Sequence, residues 1–86
     1  MICDPPLLPH NRAAFAAEIA FADARAHDDL ERSPASRRGV YRAYAVYLDA
    51  MLGTPQTPRE IDARHADLAA FAKELGLTRE DIACAA

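Results

Sequence analysis

Asp23, His27 and Glu31 follow one another at four-residue intervals, so a helix would stack carboxylate, imidazole and carboxylate along one side. Such donors can hold a transition metal, and an imidazole between two acids can carry a proton. The same column serves equally as a solvated helix face, which is the expectation here. His65, with Asp62 one turn earlier, has the parts of an oriented base; the spacing predicts a partly buried histidine hydrogen-bonded to a neighbour. Cys3, His10 and Cys84 show no metal-ligand spacing, and two cysteines near opposite ends make no disulfide framework. No nucleophile–base motif, phosphate loop or zinc-protease helix occurs. No catalytic residue, cofactor or metal is therefore expected, and the chain is not expected to be an enzyme.

The run Ser33-Pro34-Ala35-Ser36-Arg37-Arg38-Gly39, followed by Arg42, brings a different chemistry. It sets hydroxyls, guanidinium groups and the unpaired amides of a helix start close together. Ser36, Arg37, Arg38 and Arg42 are thus a candidate site for a phosphate or carboxylate. Asp28, Asp29 and Glu31 precede this turn and could neutralise it from within the chain. Tyr41, Tyr44 and Tyr47 step round the same helix and, beside the arginines, have the composition of a base-stacking platform. Rings filling a core, with hydroxyls at its rim, account for them more simply.

The elements that would carry these residues are clearly punctuated. Thr57-Pro58-Arg59-Glu60 combines a capping threonine, a proline where no amide is needed and a glutamate able to reach back; Gly76 ends the run that follows. Ser33-Pro34 and Thr78-Arg79-Glu80-Asp81 repeat the signal. The expected helices cover about 11–30, capped by Asn11, then 34–52, 58–75 and 79–85. Pro5, Pro6 and Pro9 predict an extended arm over 1–10. At about 100° per residue, three apolar stripes emerge. They are Phe15, Ile19, Ala22, Ala26 and Leu30; then Val40, Tyr41, Tyr44, Tyr47, Leu48, Met51 and Leu52; then Ile61, Leu68, Phe71, Ala72 and Leu75. Facing one another, they predict an all-α antiparallel three-helix bundle, with Leu77 and Ile82 of a short fourth helix closing one end.

Eighty-six residues allow one domain with a modest core, and much of the 51% apolar content is alanine, with no tryptophan. A net charge of −3 argues against a general nucleic-acid binder. No apolar run reaches membrane-span length and no leader pattern opens the chain, so a cytoplasmic protein is expected. The Ala- and Arg-rich, Lys-poor composition points to a GC-rich bacterial genome. Phe21 lies opposite the Phe15–Ile19 stripe, among Ala14, Ala17 and Ala24. A large ring flanked by small residues lets a second helix approach, so these four residues are the expected contact for a protein partner or a second copy. The other reading is that the proline-rich arm or the fourth helix folds back over this face and makes Phe21 ordinary core. The alternative is a DNA-associated regulator. Phe71-Ala72, Leu75-Gly76-Leu77, Ile82 and Ala85 resemble a helix-turn-helix, with the arginines of helix two in support. Its second helix, however, opens on Glu80 and Asp81, which would meet phosphate with the wrong sign.

Overall fold

The computed structural model describes the backbone of residues 9–85 and the side chains of residues 12–83. The expected arm lies outside the described residues up to position 8. Four helices follow: α1 (Pro9–Glu31), α2 (Pro34–Leu52), α3 (Pro58–Glu74) and α4 (Arg79–Ala85). α1 starts two residues before the expected Asn11 cap, because a proline at the first helical position fits helical φ and lacks only an amide that has no partner there. Pro9 and His10 therefore belong to the helix.

The caps explain the boundaries. Ser33 Oγ accepts from the Ser36 amide at 3.0 Å while Ser36 Oγ accepts from the Ser33 amide at 3.0 Å, a reciprocal box that starts α2. Thr57 Oγ1 accepts from the Glu60 amide at 3.1 Å, but Glu60 reaches past Thr57 to the Gln56 amide. Thr78 and Asp81 form a second reciprocal box, which starts α4. α3 closes with Leu77 N–H on the Ala72 carbonyl and Gly76 N–H on the Lys73 carbonyl, Gly76 taking φ 73°. This paired pattern is the Schellman stop that the glycine foretold. At the end of α1 the left-handed position falls to Arg32, with φ 49°. Its amide returns to the Asp28 carbonyl at 2.8 Å.

α2 is the central element. α1 packs along its length, α4 packs on it, and α3 runs antiparallel to it at a wider spacing. Cross-links fix that direction: Arg64 of α3 meets Asp49, Asp67 meets Tyr44, and Asp81 of α4 meets Arg38. The tightly packed core is small. Ala17, Val40, Leu48 and Ala72 are buried, and Phe21, Tyr44, Tyr47 and Phe71 form an aromatic cluster across α1, α2 and α3.

α1 presents the opposite face from the one expected. Phe15, Ile19 and Leu30 point outward, while Ala14, Ala17, Phe21 and Ala24 point toward α2. Two features select this rotation. Alanines let α1 and α2 approach closely while Phe21 reaches the gap between α2 and α3. In addition, the Ser36 hydroxyl donates to Asp28 Oδ1 at 2.5 Å, which pins the C-terminal end of α1 with Asp28 inward. The four helices spread over 49 × 37 × 17 Å with a radius of gyration of 14.8 Å. A globular chain of this length has about 12 Å.

Candidate functional site

The four residues of the expected anion site do not all come together: Ser36 and Arg42 line one concavity, and Arg37 and Arg38 are directed elsewhere. Ser36 is buried, and its single hydroxyl proton lies toward Asp28, with the Ser33 carbonyl at 2.9 Å as the weaker acceptor. An internal carboxylate thus already stands at the start of α2, where the helix dipole favours negative charge. Arg38 turns to α4 and pairs with Asp81 at 3.8 Å. Arg37 is half-buried, with its Nε enclosed and without a hydrogen-bond partner. Arg42 is exposed and, with Ser36 and Gly39 of α2, lines a concavity that Ala24, His27 and Glu31 of α1 wall on the other side. Gly39 does not mark a close approach of another backbone, since a Cβ placed there would meet nothing within 4 Å.

The other sequence candidates are equally separated. Asp23, His27 and Glu31 are exposed on α1, and among the described residues no group of three metal-binding side chains comes together. His65 is exposed rather than partly buried. Tyr44 and Tyr47 are in the aromatic cluster, and the Tyr44 hydroxyl donates to Asp67 Oδ1 at 2.9 Å. Burial raises the Tyr44 phenol above its ordinary value, and the adjacent Asp67 carboxylate adds to the rise. Asp81 moves the other way. Hydrogen bonds from the Thr78 amide and then the Thr78 hydroxyl hold its carboxyl below the usual value, with help from Arg38 and Arg37. α4 packs on α2, and its acidic first turn is tied to Arg38 and Thr78. The glycine turn at Gly76 therefore serves as a corner of the bundle.

Phe21, Ala14, Ala17 and Ala24, the expected partner contact, are occupied within the chain. The Phe21 ring lies 5.3 Å from that of Tyr44, 5.7 Å from Tyr47 and 5.8 Å from Phe71, and Ala17 is 5% exposed. This corrects the face assigned to α1: the sequence shows two apolar faces, and the one rich in large side chains is left over.

That outward face is the most distinctive surface of the molecule. Phe15 is 56% exposed, Ile19 47% and Leu30 86%, with Ala22 and Ala26 between them. The spacing of four, three, four and four residues keeps them on one stripe about 22 Å long. The two alanines also line a concavity of about 530 Å³, walled by Phe21 and Tyr47 and rimmed by Glu18, Arg25 and Asp29. Arg25 stands 5.6 Å above the Phe21 ring. A second, smaller apolar area joins exposed Met51, Leu52 and Ile61 where α2 meets α3. There Arg64 spans the helices, bonding Asp49 and, at 2.8 Å, the Gly53 carbonyl. Sequence reasoning passed over Arg64, although a cation that can reach a helix C-terminus is a recognisable signal.

No helix of the described residues is long and apolar enough to cross a membrane. Compared with protein-family models, with curated proteins and with solved structures, the chain finds no match.

Proposed function

We propose that this protein is a non-catalytic helical interaction or regulatory module whose partner is a second copy of itself, docked on the outward face of α1. The observation that carries this reading is the exposure of Phe15, Ile19 and Leu30 on one stripe while the core of the chain lies elsewhere. Isolated apolar side chains at a surface are ordinary, but an ordered stripe beside an apolar concavity marks an interaction site. The flanks of the stripe favour protein over lipid or nucleic acid. Glu18, Asp23, Asp29 and Glu31 outnumber Arg12 and Arg25 there, whereas helices that bind anionic surfaces carry a basic polar face.

Light scattering over a wide concentration range tests the reading. The wild type is expected to pass from monomer to dimer as concentration rises. A Phe15→Glu/Leu30→Glu variant is expected to stay monomeric with the same helical circular dichroism. A wild type that remains monomeric throughout contradicts the proposal.

A further inference from the structure

Along the outward stripe of α1 two large residues are followed by two small ones, and Leu30 ends it. Phe15 and Ile19 stand in its N-terminal half, and Ala22 and Ala26, which floor the concavity, stand in its C-terminal half. Two such helices laid side by side in the same direction would put Phe15 against Phe15 and leave the alanines facing a gap. Laid in opposite directions, they put Phe15 and Ile19 on Ala26 and Ala22.

We infer that two copies pair through α1 in antiparallel register, with Phe15 of one copy over Ala26 of the other and Ile19 over Ala22, and reciprocally. This rests on the self-association proposed above and adds its geometry. The two-fold axis then passes between the levels of Ala20 and Phe21. Both contacts repeat by symmetry, as a self-complementary two-fold interface requires. The short side chains at 22 and 26 let the helix axes come close, so Phe15 and Ile19 enter the concavity beside Phe21 and Tyr47 of the other copy.

Charge agrees with the same register. Glu18 and Arg25 rim the concavity on the same flank of the stripe. Side chains on the same flank meet across an antiparallel pair, and this register brings Glu18 of each copy to within about 3 Å along the axis of Arg25 of the other. In a parallel pair Glu18 stays level with Glu18.

Site-directed crosslinking with a short bis-maleimide, which adds one cysteine thiol at each end, tests the register, in a background with Cys3→Ser and Cys84→Ser. A mixture of Phe15→Cys and Ala26→Cys proteins is expected to crosslink between copies, while Phe15→Cys alone does not. Glu18→Arg is expected to weaken dimerisation by about 5- to 10-fold, and adding Arg25→Glu to restore it. Self-crosslinking of Phe15→Cys in a protein that sediments as a dimer overturns the antiparallel register and leaves self-association standing. So does a dimer in which neither the 15–26 crosslink nor the charge rescue is seen. A monomer at every concentration removes both. Circular dichroism of each variant confirms that the helices are intact before either result is read.

Discussion

Gly39 occupies a helical position of α2 without needing its missing side chain. Its φ is not in the left-handed region, and a Cβ there would meet no atom within 4 Å. Glycine in a helix costs about 1 kcal/mol relative to alanine, chiefly through the freedom it gives the unfolded chain. Gly39→Ala is therefore expected to stabilise the fold by about that amount and to raise Tm by about 4–8 °C in a domain this small. Tyr44 gives a prediction in the other direction. Its pKa is raised, first by burial and then by the Asp67 carboxylate, so the folded protein holds the phenol proton more tightly than the unfolded chain. That contribution is fully present below the ordinary tyrosine value and is lost as pH rises through the raised one. Denaturant unfolding should show stability falling above about pH 10, with a shallower fall in Tyr44→Phe.

Among the elements, α4 depends on the depressed carboxyl of Asp81, which caps the helix through Thr78 and ties it to Arg38. A lowered carboxyl pKa contributes stability above the ordinary carboxylate range and loses it as pH falls through the depressed value. The protection of α4 amides relative to their intrinsic exchange rates is thus expected to fall below about pH 4 while α2 stays protected. Asp81→Asn is expected to show faster α4 exchange already at neutral pH. The helix boundaries were legible in the sequence because caps are local: Ser33, Thr57, Gly76 and Thr78 act on residues within one turn. The rotation of α1 was not legible. Its two faces are both apolar, and the choice rests on the Asp28–Ser36 hydrogen bond and on Phe21 meeting rings from α2 and α3. The surroundings of the candidate anion site were not legible for a related reason. Its spacing was right, but Asp28 came back to occupy the helix start and Asp81 drew Arg38 away.

At the scale of the whole molecule, a thin core and a large exposed surface belong together. Four small or medium apolar side chains are buried among those described, α3 stands off from α1, and Phe15, Ile19 and Leu30 of the longest helix face solvent. The proposed self-association through that face would cover apolar area that the monomer leaves in water, at about 25 cal/mol per Å². The two faces of α1 should then respond differently to the same chemical change. Phe21→Glu places a charge among Tyr44, Tyr47 and Phe71, and is expected to cost about 3 kcal/mol or more and to broaden or abolish cooperative unfolding. Ile19→Glu changes a residue with no place in the core. It is expected to leave monomer stability within about 0.5 kcal/mol and to act on association alone.

Sedimentation equilibrium of the wild type beside Ile19→Glu tests the central claim most directly. A reversible monomer–dimer equilibrium in the wild type, shifted strongly to monomer by Ile19→Glu with helicity unchanged, is the expected result. A wild-type protein that is monomeric at every concentration, or a dimer that Ile19→Glu leaves untouched, would contradict the assignment of the outward face of α1 as the surface on which this protein works.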